Sequence, residues 1–225
     1  MIKIRDFCIG VSICLLLSAP LHARNIKLST FGAVGDGKTD NTEAIQKAID
    51  ACSESGGGEV IFPEKSGVFL SQTINLKDNV VLRVPTGVTL KAIVPETRGA
   101  FILAEKVKNV GVVGGGTIDG SGKDFGIPKK ENEVKNRAHL LRFKECQNIR
   151  VQGVNLYSSW SWTLDLRQCD TVFIEGIHLL GHANHNNDGI DIDAKNVVIT
   201  NCIIDCGDDA ICFKSQKKDF IVENV

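Results

Sequence analysis

Through much of the chain, short stretches alternate apolar and polar residues with a period of two, the pattern of strands buried on one side. The stretches fall inside a recurring phrase: "DNVVLRV" from residue 78, "KNVGVVG" from 108, "QNIRVQG" from 147, "DTVFIEG" from 170, "KNVVITN" from 195 and "KDFIVEN" from 218. The last four begin 23, 25 and 23 residues apart. Each unit reads as a polar turn, an alternating Val/Ile strand, a second short strand and a turn of Gly, Asn or Asp. One unit cannot bury its own apolar face, but a stack of them can. No helical stretch of about ten residues separates the units, which excludes ordinary strand-helix-strand folds. A coil of roughly 23 residues with about three short strands predicts an all-β fold, a right-handed single-stranded parallel β-helix.

Ahead of the repeats, "TDNTEAIQKAIDACSESGGG" changes to helical period, with Ala44, Ile45, Ala48, Ile49 and Cys52 on one face. Asp40 as N-cap, Glu43 three residues on and Gly56 as the stop predict a helix that closes the open end of the solenoid. The polar stretch "DGSGKDFGIPKKENEVKNRAH", residues 119 to 139, reads as an insertion between coils. Cys146 and Cys169 each lie two residues before the repeated phrase, so they are expected to stack in adjacent coils.

Composition suits one globular domain: 225 residues, 43% apolar and 24% charged. "MIKIRDFCIGVSICLLLSAPLHA" has Lys3 and Arg5 before an apolar run from Phe7 to Leu17 and a small-residue site at Ala23. That run is shorter than the roughly 20 residues of a membrane span, so residues 1 to 23 are expected to be a signal peptide, and 24 to 225 the β-helix domain, secreted or periplasmic. Without the leader, 24 basic residues face 26 acidic ones, which leaves no basic field for nucleic acid. Six cysteines remain, with neither the paired spacing nor the neighbouring histidine of a zinc site; they are expected as buried thiols or a single bridge.

The chemistry gathers in "NNDGIDIDAKNVVITNCIIDCGDDAICFKS", residues 186 to 215. Asp188 precedes Asp208 by 20 residues and Asp209 by 21, a little under one coil, so stacking brings them together on strands roughly 4.8 Å apart. Alternation turns Ile190, Ile192, Ile211 and Phe213 inward, and Asp191, Asp193, Ala210, Cys212 and Lys214 outward. Simple parity would bury Asp188 and Asp209, and Gly189 and Gly207 beside them are expected to supply a turn or bulge. Crowded carboxylates push one another's pKa values apart, which suits a general acid working with a general base. The plainer reading, Asp and Asn satisfying loose backbone in solenoid turns, fits Asp193 and Asp205 better. An oxygen-rich cluster can also hold calcium. His182 and His185 lie close to the groove, and Trp160 and Trp162 sit one coil earlier, as sugar-stacking residues or as core aromatics.

"NNDGIDI" followed by "CGDDAICFKS" resembles the Asn-x-Asp and Gly-Asp-Asp motifs of the polygalacturonase family, glycoside hydrolase family 28. "FGAVGDGKTDNTEAIQKAID…GGGEVIFP" is similar to a segment shared by that family and the wider pectate-lyase superfamily. The resemblance implies inverting hydrolysis of α-galacturonosyl linkages in pectin or rhamnogalacturonan, with no cofactor or metal. It implies Asp208 as general acid, with Asp188 and Asp209 on the attacking water and Asn186 positioning them; by their place near the groove, Asn186, Lys214, His185 and Trp162 are expected as substrate-binding residues. The implied partner is a pectic polysaccharide or oligogalacturonide, and the full-length protein is expected to be a monomer. Asn187 stands where threonine is frequent in the family, and "SSWSWTLDL" lacks a common proline. The family's Gly-His-Gly histidine and Arg-x-Lys pair do not occur before Val225. The chain is therefore expected to be the N-terminal part of a longer protein, impaired by itself. A tailspike-like binding β-helix and a calcium-dependent pectate lyase are the competing expectations.

Overall fold

The computed structural model describes residues 24–93, 99–125, 138–215 and 222–225. The expected leader with Cys8 and Cys14, and residues 126–137 of the expected insertion, lie outside the described residues.

The repeats stack as a parallel β-helix with three faces. The first face holds Ile74–Asn75, Ala100–Glu105, His139–Lys144 and the starts of Leu164–Glu175 and Ile190–Thr200, then Ile211–Phe213. A bulge between Arg167 and Cys169, where Gln168 takes φ 53°, turns the first of these long strands toward the second face. There it joins Val80–Val84, Lys108–Gly114 and Gln147–Gln152. The third face runs from Asp36–Asp40 to Ile203–Cys206.

Registration explains the core, because inward residues meet their counterparts one coil away. Ile74, Ile102, Leu141, Leu164, Ile190 and Ile211 form one rung series. Val60, Leu82, Val112, Val151, Ile174 and Ile199 form the second, and Phe69, Leu90, Ile118, Leu156, Leu179 and Ile204 the third. Most of these side chains are fully buried, each worth about 1.5–3 kcal/mol on leaving water.

The second residue of the repeated phrase has its own job. Asn79, Asn109, Asn148, Thr171 and Asn196 all adopt left-handed φ between 54° and 63°, and Asn224, the last residue of the final phrase, does so at 52°. Asparagine tolerates that region, and its amide links coils: Asn109 Nδ2 donates to Asn79 Oδ1 at 2.6 Å and Asn148 Nδ2 to Asn109 Oδ1 at 2.7 Å. Asn224 Nδ2 donates to Asn196 Oδ1 at 2.9 Å. This ladder corrects the phase of the last repeat. The segment stacked on Lys195–Val197 is Glu223–Val225, through Asn196 N–H to Glu223 C=O at 2.9 Å, so the phrase at 218 is not the aligned rung. The last turn is 28 residues long, not 23.

The cap helix spans Thr42–Glu54 and buries Ile45, Ala48, Ile49 and Cys52 against the first coil. Its N-cap is Asn41 rather than Asp40. Asn41 turns its side chain to Val34, Thr39 and Leu70, while Asp40 Oδ1 accepts the Thr42 N–H at 2.9 Å. Glu43 pairs with Lys47 instead of closing a capping box. Cys146 and Cys169 stack in adjacent coils as expected, both as buried thiols. Phe213 keeps the inward register over Ile192 but is 61% exposed because no further described rung covers it, whereas Ile203, 63% exposed, is an outward residue in register with His178. Among the described residues no helix is long and apolar enough to cross a membrane.

Candidate active site

Outward residues of the first face build a polar groove. Arg142, Asp165, Asp191 and Cys212 form one rung series, and Lys144, Arg167 and Asp193 the next. Lys214 continues the second, its N–H donating to the Ile192 carbonyl at 2.8 Å. These positions point away from the core, as alternation requires, yet Asp165, Asp191 and Asp193 are each 1% exposed. Arg142 and Arg167 pair with Asp165 and Lys214 with Asp191, and Trp162 packs against Arg167 and Lys214. The turn reading of Asp193 is therefore wrong: it sits within Ile190–Thr200 and is buried opposite Arg167.

Buried carboxylates require partners. Arg142 Nε meets Asp165 Oδ2 at 2.6 Å and Arg167 Nε meets it at 2.9 Å. Lys214 Nζ bonds Asp188 Oδ2 at 2.6 Å and pairs with Asp191. The same ammonium lies 3.6 Å from the Trp162 ring centre, a cation–π contact, so Trp162 is half-buried beside the groove. Burial opposes the Lys214 charge, but its bonds to Asp188 and Asp191 outweigh that and hold its pKa above the usual lysine value. Burial, reinforced by Asp188 and Asp165 and opposed by Lys214, pushes the Asp191 carboxyl up to about 7.

Asp188 lies just before Ile190–Thr200 and Asp209 just before Ile211–Phe213. The Gly189 N–H donates to the Asp209 carbonyl at 2.9 Å, which brings these rungs side by side. Donor atoms of Asp188, Asp209 and Cys212 all lie within 4.8 Å of one another. Asp188 is 4% exposed and its Oδ1 has no hydrogen-bond partner. Asp208 is exposed and outside this trio, with Oδ1 accepting the Asp209 N–H at 3.0 Å. The structure thus brings Asp188, Asp209, Lys214 and Trp162 together and leaves Asp208 at the open rim.

Gly189 and Gly207 both lie in bends, with φ outside the left-handed region. Gly189 serves close approach: a Cβ there would lie 2.4 Å from the Ala210 carbonyl oxygen. The left-handed residue is Asn186, at φ 53° and exposed. Its neighbour Asn187 is fully buried and holds the loop, with Nδ2 donating to the Ser159 and Ser161 carbonyls at 2.9 and 3.0 Å. Asn187 Oδ1 accepts the Asn184 N–H at 2.5 Å. His185 is exposed on this loop, and His182 bonds Asp205 at 2.6 Å. Trp160 is half-buried beside a small cavity lined by Phe101, His139 and Leu140.

Arg142, Asp165, Arg167 and Asn187 were not singled out as site residues in the sequence. The available signal was registration: charged residues recur at outward positions of successive coils. Asp188, Asp209 and Cys212 are the described residues that can converge on a metal ion.

Comparison with known proteins agrees with this architecture. Residues 52–225 match the family model described as glycosyl hydrolases family 28. The chain is 31% identical over 210-odd residues to a polygalacturonase of Persea americana, covering 89% of this chain and 46% of that protein. It is 30% identical to an endo-polygalacturonase of Pectobacterium carotovorum subsp. carotovorum, covering 78% and 52%. The crystal structure of a hyperthermoactive exopolygalacturonase from Thermotoga maritima superimposes with a TM-score of 0.74 at 29% identity, covering 85% of this chain and 55% of that one. The chain spans about half the length of the curated relatives it matches.

Proposed function

The chain belongs to glycosyl hydrolases family 28, and on that premise we propose that it carries the acid and water-activating residues for inverting hydrolysis of α-galacturonosyl linkages in pectin or rhamnogalacturonan. The observation that carries this reading is the close approach of Asp188 and Asp209 on adjacent coils beside exposed Asp208. Asp208, at the rim, donates its proton to the glycosidic oxygen as the bond breaks. Asp188 and Asp209 hold a water between them and take its proton as it attacks the opposite face of the sugar, which inverts the anomeric centre. The unpartnered Asp188 Oδ1 is suited to that water.

Lys214 supplies positive charge toward the uronate carboxylate, and Trp162 offers an apolar ring face beside it. Asn186 and His185, exposed on the loop before Asp188, contact the sugar from the rim. Export through the leader at residues 1 to 23 places the chain where pectic polymers occur. The relatives named polygalacturonase and endo-polygalacturonase support the substrate class.

The test incubates the 225-residue chain with polygalacturonate and with rhamnogalacturonan, measuring new reducing ends and ultraviolet absorbance. Hydrolysis predicts reducing ends of inverted configuration and no unsaturated product. Asp208→Asn is expected to lower the rate by about 10²-fold or more. An unsaturated product, or a rate unchanged in Asp208→Asn, would refute the assignment.

A further inference from the structure

We propose that Asp188, Asp209 and Cys212 together form a binding site for a thiophilic divalent cation of the zinc or cadmium type. The site draws on two coils. Asp188 comes from one, while Asp209 and Cys212 come from the next, three residues apart where the chain enters Ile211–Phe213. Their donor atoms already lie within 4.8 Å of one another. A tetrahedral ion with bonds of about 2.0–2.3 Å sets donors roughly 3.5 Å apart. Exposed Asp209 and half-buried Cys212 therefore need to close by only about an ångström, with Asp188 as the rigid wall.

A second observation points to a ligand at the same spot. Asp188 is 4% exposed, its Oδ2 is held by Lys214, and its Oδ1 has no hydrogen-bond partner. Buried polar atoms are nearly always paired, so an unpartnered acceptor on a carboxylate that lies within reach of a second carboxylate and a thiol marks a place for a donor or a cation.

The donor set decides which cation. Calcium and magnesium take six or more oxygen ligands, and this trio offers three donors, one of them sulfur. Thiolate selects zinc-like ions, and three protein ligands leave a fourth position for water. On binding, the Cys212 thiol loses its proton to solvent and becomes the sulfur ligand. Lys214 opposes the cation from the Oδ2 side, but three anionic donors outweigh one ammonium. The remaining half-buried thiols are placed otherwise: Cys202 Sγ lies 3.1 Å from the Thr200 carbonyl and Cys206 Sγ 3.4 Å from the Asp208 carbonyl. The binding claim stands whether or not the chain is a hydrolase. If it is, an ion here occupies both carboxylates that hold the attacking water and inhibits the reaction.

The experiment titrates the whole chain with Cd²⁺ while following the ultraviolet thiolate-to-cadmium charge-transfer band, and with Zn²⁺ and Ca²⁺ by calorimetry. One Cd²⁺ per chain is expected, with Ca²⁺ binding far more weakly. Cys212→Ser and Cys212→Ala should abolish the band, and each should weaken Zn²⁺ binding about 10-fold or more, as should Asp209→Asn. Circular dichroism confirms that each variant is folded. A band that persists without Cys212, Zn²⁺ affinity unchanged in Asp209→Asn, or Ca²⁺ binding as tight as Zn²⁺ would overturn the proposal.

Discussion

Asp191 gives this groove a stability that depends on pH, and Asp191→Asn isolates it. The carboxyl is 1% exposed, between Asp165 on the preceding coil and Cys212 on the following one, with Lys214 paired to it and Asp188 beside it. Burial raises it from 3.8 to about 7. A carboxyl whose folded pKa is raised binds its proton more tightly in the folded state. Its contribution is therefore complete below the unfolded pKa near 3.8 and is lost as pH rises through about 7. At about 1.4 kcal/mol per pKa unit the gap amounts to roughly 4 kcal/mol, and relaxation of the surroundings around the charge lowers this to about 2–4 kcal/mol. Asparagine resembles the protonated acid and does not titrate. The variant should nearly match the parent at pH 4 and exceed it by about 2–4 kcal/mol at pH 8. With a urea dependence of about 3 kcal/mol per molar, that is a relative midpoint gain of about 1 M. Urea unfolding of both proteins at pH 4, 6 and 8 reads it directly, and groups common to both cancel. Midpoints that run parallel across this range would refute the reasoning.

Two further substitutions probe other parts of the solenoid. Thr171→Asn replaces a β-branched residue at φ 59° in the ladder position filled by asparagine in neighbouring coils; relief of left-handed strain should add about 1 kcal/mol in urea unfolding. His139 has its pKa pushed down to about 3, chiefly by burial, with Arg142 adding to it. Its contribution is present above the ordinary value of 6.5 and is lost as pH falls toward about 3, so His139→Phe should flatten the acid side of the stability profile. An unchanged acid limb would show that other groups govern it.

Much of the fold was legible because a stacked coil is a local rule repeated. Val and Ile at period two identified the inward rungs, and the helical period of residues 44 to 52 identified the cap. The phase of the last repeat was not legible. "KDFIVEN" matches "KNVVITN" residue for residue in type, but turn length is free to vary, and the structure places Glu223–Val225 on that rung. The cap helix shows the same limit at one residue: Asp40 and Asn41 are both good N-caps, and tertiary bonds from Asn41 to Val34 and Leu70 decide between them.

For the site, sequence spacing alone determined that Asp188 and Asp209 would become neighbours, since 21 residues is nearly one coil and parallel strands stack in register. It also determined that Asp191, Asp193, Cys212 and Lys214 would point outward. Only the tertiary structure decided what outward means here. Arg142 reaches across to Asp165 and Lys214 to Asp191, and burial there makes Asp191 a raised carboxyl rather than a solvated one. Alternation fixes which side of a strand a side chain leaves from. Its surroundings depend on the length and charge of side chains one coil away, and those meet only when the coils stack.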